Sequence, residues 1–378
     1  MKLSSQTQIQ TLAGFKSESL WTTSFFLDTD KRLKTKKEVA VSFKNLLNEG
    51  RTRLDALDLN RVRKESLHQD LEKIARFGTQ RLPSFNGAGL AIFACHGAKL
   101  WQDLTLPRPP RNHLFFDRSL HIRPLLSIRD EYHRICAFLL NRQEARWYEI
   151  FMEEIERIDS IRSDVPGRVR EGGWKGYESK RIERHIDAHL HEHFKRAAQK
   201  TFELFKKSRF DWLFLGCQEE YRSDVESLLH PYLRERLKGR LKPNSAAPDK
   251  ILREATEIER ALRAEKEAAL AQSLSSELEK GGRAVSSLKN VLGKLNTAEI
   301  QTLVLTRNFA KEGRICPKCR FLYLDSLRCP VCQVKTEKVQ DIVHESVHAA
   351  LDKKIPVRYV TPPSRLDRYG KIGAFLRY

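Results

Sequence analysis

Cys316-Pro-Lys-Cys319-Arg-Phe-Leu-Tyr-Leu-Asp-Ser-Leu-Arg-Cys329-Pro-Val-Cys332 consists of two CxxC knuckles separated by nine residues. Each knuckle turns tightly enough to aim both of its sulfurs at one centre. Four thiolates at about 2.3 Å satisfy a tetrahedral Zn²⁺ and leave no coordination position open. The expectation is one structural zinc held by Cys316, Cys319, Cys329 and Cys332. Such a centre fixes the chain around it and does no chemistry of its own. Two redox pairs are a poorer reading, because one CxxC suffices for thiol exchange.

Outward from the knuckles, extended and helical periods alternate. A β-prone run, Ile300 to Thr306, precedes them; a helical stretch from Asp341 to Lys353 and a strand from Val357 to Val360 follow. Upstream, residues 249–280 carry Ile251, Ala255, Ile258, Leu262 and Leu270 at helical spacing. Leu288 to Leu295 makes a second helix after Gly281-Gly282, and Gly370 to Tyr378 reads as a closing strand. This predicts an α/β/α sandwich over 249–378 with a zinc ribbon, about 314–334, inserted in it.

The clearest linker is Lys242-Pro-Asn-Ser-Ala-Ala-Pro248. Before it, 126–243 reads as a central α/β domain. Two strands, His133 to Asn141 and Ala145 to Phe151, flank a polar turn. A glycine-bearing basic stretch follows, then a long helix from about Ser179 to Ser208, a strand from Asp211 to Gly216 and a helix from about Tyr221. His121-Ile-Arg-Pro124-Leu bridges to residues 1–125, a mixed α+β unit. There Trp21 to Leu27 and Leu90 to Cys95 are strands, and Lys37 to Phe77 has helical spacing. The prolines after Leu106 hold the chain extended. The expected class is therefore α/β in three domains.

The chain has 378 residues, is 40% apolar and carries a net charge of +20, spread along its length. That excess points to a polyanionic partner, most simply nucleic acid. The remaining cysteines, Cys95, Cys136 and Cys217, sit singly in apolar runs and read as buried thiols of a reducing compartment. MKLSSQTQIQ lacks a signal-peptide core, and no run approaches the ~18 apolar residues of a membrane span. We expect a cytoplasmic monomer with no membrane contact.

Taken in order, several stretches resemble one known group. They are Phe26-Leu-Asp-Thr-Asp30, Gly89 to Cys95, Arg123-Pro-Leu-Leu126, Arg142-Gln-Glu-Ala-Arg146, Gly172-Gly173-Trp174 ahead of Arg184-His185, Asp211 to Gly216, Val291 to Leu305, and Gly373 to Tyr378. The sequence resembles the archaeal and eukaryotic class-one peptide chain release factor and Pelota family. Within it, the likeness is greatest to a bacterial branch that includes Balon-like ribosome hibernation factors. The resemblance implies an N-terminal decoding-centre domain and a central domain that reaches the peptidyl-transferase centre. It also implies a C-terminal domain that meets a translational GTPase such as elongation factor Tu. The implied partner is the ribosome, through rRNA of both subunits.

One departure bears on activity. Release factors of this family hydrolyse peptidyl-tRNA with a Gly-Gly-Gln loop that positions water; here the loop is Gly172-Gly173-Trp174. Tryptophan offers one N–H and no acceptor, so it cannot replace an amide. Nor do stop-codon-reading motifs match. The expectation is a non-enzyme that occupies the ribosomal acceptor site in hibernation or rescue. Its RNA contacts are expected from Arg168, Arg170, Gly172, Gly173, Trp174 and Lys175. Two alternatives stand: an active peptidyl-tRNA hydrolase or nuclease in ribosome rescue, and a zinc-stabilised RNA-binding protein unconnected with ribosomes.

Two histidine patterns need weighing. His344-Glu345-Ser-Val-His348 fits HExxH, a zinc-protease signature, but no glutamate follows it as third ligand. An amphipathic helix burying Ile342, Val343, Val347 and Leu351 explains it better. His185, His189 and His193 recur at i, i+4, i+8 and read as one partly solvated helix face, with His191 nearby.

Overall fold

A computed structural model of the chain describes residues 11, 12, 14, 15, 20–165, 176–243 and 247–378. The protein is mixed α/β, with four separate sheets among the described residues. It forms two compact units, one of residues up to Asp130 with Ala271–Tyr378, the other Glu131–Leu270. The first and last segments of the chain thus share a unit.

In the first unit, strands Leu100–Leu106, Gly89–Cys95, Thr22–Asp28 and His113–Asp117 lie side by side in that order, all antiparallel. Alternation along these strands sends Phe25, Leu27, Leu90, Ile92, Leu114 and Phe116 to one face. Two helices cover that face, Lys36–Ala56 and Arg61–Arg81. The sequence reads as one helical stretch here. The break comes where Leu57 turns extended and Asn60 caps the second helix, its side chain accepting from the Arg63 N–H at 3.0 Å. Thr35 and Glu38 form a capping box on the first. Gly78 lets the two helices close up: a Cβ there would lie 2.2 Å from the Phe43 ring.

Helix Arg61–Arg81 also buries a carboxylate. Asp70 accepts from the Thr23 hydroxyl at 2.7 Å and from the His96 N–H at 2.8 Å. Burial pushes its carboxyl up to about 7, against the pull of those two hydrogen bonds.

The same unit holds a second sheet, ordered Ala284–Ser286, Ile372–Leu376, Ile300–Thr306, Val357–Val360, whose last pair is parallel. Helices Leu288–Asn296 and Ile342–Asp352 belong to it. Strands Ile300–Thr306 and Val357–Val360 have the bounds read from the sequence, and the closing strand is shorter than the 370–378 read there.

The second unit is built on five strands, ordered Glu154–Arg162, Glu144–Phe151, Ile135–Leu140, Trp212–Gly216, Leu237–Arg240. Its central strand, Ile135-Cys-Ala-Phe-Leu-Leu140, is apolar throughout because both faces are covered. Cys136, Phe138 and Leu140 pack with Phe194, Ala197 and Leu204 of the long helix Gly176–Ser208. Ile135, Ala137 and Leu139 pack with Ile251 and Ala255 of helix Pro248–Glu279. Trp147 is buried in the first layer, its indole N–H donating to Thr201 Oγ1 at 2.8 Å. The linker read over 242–248 lies partly outside the described residues.

Several elements go beyond the sequence reading, strands His113–Asp117, Leu237–Arg240 and Ala284–Ser286 among them. Strand Glu154–Arg162 alternates charge more than hydrophobicity, which suits its place at a sheet edge. Strand Leu100–Leu106 is interrupted in pattern by Gln102 and Asp103. Helix Arg123–Glu131, with Pro124 in its first turn where proline is tolerated, begins in the stretch read as a bridge between domains.

Candidate functional site

The cysteine hairpin grows out of three short strands, Leu322–Tyr323, Gly313–Ile315 and Glu337–Val339, paired in that order. Both knuckles close in the same way. Cys316 N–H donates to Phe321 O at 2.9 Å and Arg320 N–H to Cys316 O at 2.9 Å. In the second knuckle, Cys329 N–H donates to Val334 O at 2.9 Å and Gln333 N–H to Cys329 O at 2.8 Å. Arg320 and Gln333, each directly after the second cysteine of its pair, adopt the left-handed conformation at φ 63° and 58°. Further N–H groups face sulfur: Cys319 N lies 3.5 Å from Cys316 Sγ, and Cys332 N 3.4 Å from Cys329 Sγ.

The four sulfurs all lie within 4.8 Å of one another, with Cys319 and Cys329 Sγ at 3.6 Å, and none is in a disulfide. Tetrahedral zinc with ~2.3 Å bonds sets sulfurs about 3.8 Å apart, so this donor set fits such an ion. Cys316, Cys319, Cys329 and Cys332 could hold a metal ion, as their spacing suggests. The surroundings steady the hairpin. Tyr323 Oη lies 3.3 Å from Cys329 Sγ. Arg314 donates to Thr336 Oγ1 and O, both at 2.7 Å. Asn296 clips the hairpin to helix Leu288–Asn296, donating to Leu322 O at 3.0 Å and accepting from Leu322 N–H at 2.9 Å.

The expected RNA-contacting residues, Arg168, Arg170, Gly172, Gly173, Trp174 and Lys175, lie outside the described residues. The chain before them is anchored by His193, whose ring meets Ser163 Oγ at 2.7 Å and Asn141 O at 3.2 Å. His193 is therefore a satisfied core histidine, 1% exposed, and not part of a solvated face with His185 and His189. The rings of those two exposed residues meet edge to face at 4.5 Å.

HExxH does not form a metal centre here. His344 is 1% exposed and its ring stacks on His121, centroids 4.0 Å apart. His121 stacks on Phe115 at 3.6 Å, and Phe115 meets His113 at 4.0 Å. His348 meets His344 edge to face at 4.5 Å and reaches Leu120 O at 3.1 Å. Burial holds His121 and His344 well below the usual imidazole range, so both are neutral. Glu345, the would-be base, lies 3.6 Å from Arg320, and burial with Asp117 close by raises its carboxyl to about 8. Ile342, Val343 and Val347 are buried as expected, while Leu351 stays partly exposed. Among the described residues, only the cysteines gather three or more candidate ligands around one point.

Residues 121–260 match the family described as bacterial archaeo-eukaryotic release factor family 10. The chain is 25% identical to peptide chain release factor subunit 1 of Thermococcus onnurineus over 320 residues, 74% of each chain. It is 23% identical to the protein of the same name from Methanocaldococcus jannaschii over 311 residues, 72% of each. Among solved structures it is similar to an archaeal Pelota in a model of ribosome-bound Pelota and ABCE1. That match has 11% identity, 100% and 95% coverage, and TM-score 0.43. It is also similar to an archaeal translation termination factor, with 14% identity, 98% and 96% coverage, and TM-score 0.27. The resemblance read from the sequence is thus matched: the chain is similar to the archaeal class-one peptide chain release factors, and residues 121–260 match bacterial archaeo-eukaryotic release factor family 10.

Proposed function

We propose that the protein is a ribosome-binding translation factor that occupies the acceptor site in hibernation or rescue and does not hydrolyse peptidyl-tRNA. The observation that carries this is the pairing of a release-factor-like chain with Gly172-Gly173-Trp174 in place of a Gly-Gly-Gln loop. A net charge of +20 supports an rRNA-facing role, through phosphate contacts made by its lysines and arginines. In this reading Trp174 stacks on an exposed base, the basic residues around it meet phosphates, and one Zn²⁺ on the four cysteines keeps the hairpin folded. A translational GTPase is the natural delivery partner.

Sedimentation of the protein with ribosomes, followed by a peptide-release assay on loaded ribosomes, tests the reading. Co-sedimentation should be strong near 50 mM salt and fall steeply towards 200 mM, as counterion release requires. Trp174→Ala should weaken it by about 1–3 kcal/mol, and Trp174→Phe should retain most of it. Peptide release by the wild type well above background would replace this reading with a catalytic one. Failure to sediment with ribosomes at low salt would remove the ribosome from it.

A further inference from the structure

A cavity of about 580 Å³ opens in the first unit, lined by Arg53, Arg108, Arg111, Arg123 and Arg307 against two carboxylates, Glu312 and Asp341. Three of these arginines are set in place by neutral acceptors. Arg53 donates to Leu114 O at 3.0 Å and to Gln340 Oε1 at 2.7 Å. Arg307, 6% exposed, donates to Ser127 Oγ at 2.8 Å and Thr361 Oγ1 at 3.0 Å, and Arg108 shares the Ser127 hydroxyl at 3.1 Å. Arg123 pairs with Asp341 at 3.0 Å, and Arg111 is exposed at the rim. The wall also carries flat apolar surface. His113 and Phe115 line the cavity and head the ring stack described above. Burial foremost, then Arg53 and Arg111, holds the His113 imidazole at about 4, so its ring is neutral at pH 7. The volume suits one small ligand.

A guanidinium-rich wall recognises phosphate through paired N–H donors. A neutral ring surface beside it accepts a planar heterocycle. A bare anion would use only the first. We propose that this cavity binds a nucleoside diphosphate, its phosphates on Arg53, Arg111 and Arg123 and its base against the ring of His113. The site shares no residue with the Gly172-Gly173-Trp174 loop and does not depend on that loop's role.

Calorimetric titration of the full chain with adenosine and guanosine diphosphate, pyrophosphate and a short single-stranded RNA tests it. One equivalent of a nucleoside diphosphate should bind at least about fivefold more tightly than pyrophosphate, the minimum expected of base stacking. Arg111→Glu should weaken the nucleotide by about 10- to 100-fold, the loss of a charge-assisted bond, with an unchanged melting temperature. His113→Leu should weaken the nucleotide and leave pyrophosphate alone. Equal binding of pyrophosphate and nucleotide would make this a bare anion site and overturn the proposal. Binding of the RNA alone, or of none of the four, would overturn it as well.

Discussion

Two clusters of metal-ligating side chains lie in the first unit, and they behave oppositely. In the hairpin, four sulfurs converge within 4.8 Å of one another. In the ring stack, His121 and His344 sit at 4.0 Å with 25° between their planes. The lone pair of an imidazole nitrogen lies in the ring plane, so stacked rings direct their donors sideways and share no centre. Residue type supplies candidates, and direction decides between a metal site and a core. The nitrogens of His344 accordingly make no hydrogen bond although the ring is buried. That imidazole serves as a flat space-filler.

The largest effect should come from the hairpin. Cys329→Ser should abolish metal binding, and chelation of the wild type should do the same. Apparent zinc energies of about 10–16 kcal/mol in small fingers set the scale. Hydrogen exchange should show residues 313–339 losing protection while strands Thr22–Asp28 and Gly89–Cys95 keep theirs. A purified protein without a bound metal ion would erase the contrast between the two clusters.

A smaller effect is expected in the stack. His344→Ala opens a hole between His121 and His348 and should cost about 2–4 kcal/mol in urea unfolding. His344→Phe keeps a ring and removes both nitrogens, so it should cost clearly less. Equal costs would mean that a nitrogen of His344 is used, and the stack would regain its standing as a polar site.

The smallest test concerns buried polar groups that do have partners. The Asp70 carboxyl is raised from 3.8 to about 7 in the folded state. Its contribution is fully present below its unfolded value, near 4, and is lost as pH rises through about 7. Glu345, raised to about 8, and Asp117, raised to about 6, act in the same direction. Asp70→Asn should therefore flatten the fall in stability between pH 5 and 8, by about 2–3 kcal/mol. Melting curves at the two ends of that range will show it. A steeper fall in the variant would show that the carboxyl enters the fold charged.

These clusters also mark what a sequence can disclose. The cysteines declare themselves because seventeen consecutive residues contain the whole site. Ile135 to Leu140 declares a doubly covered strand because six apolar residues in a row suit no half-exposed one. The arginine cavity has no such signature, since only the tertiary fold brings Arg53 and Arg307 to the stretch that carries Arg108, Arg111 and Arg123. His193 misleads for a related reason: helical spacing groups it with His185 and His189, but Ser163 and Asn141, thirty and fifty-two residues away, claim its ring. Strand Glu154–Arg162 hides because an edge needs charge more than hydrophobicity.

The first unit draws on both ends of the chain, and this orders events at birth. Phe26, Phe115 and His121 form an aromatic face on the N-terminal sheet, and His344 closes over His121 from far downstream. During synthesis that face waits for more than two hundred residues. At about 5–20 residues per second, the wait is on the order of 10–45 s. The nascent N-terminal half therefore presents a sticky surface through most of its own translation. Chaperone occupancy should be greatest in that interval and end only when the helix bearing His344 leaves the exit tunnel.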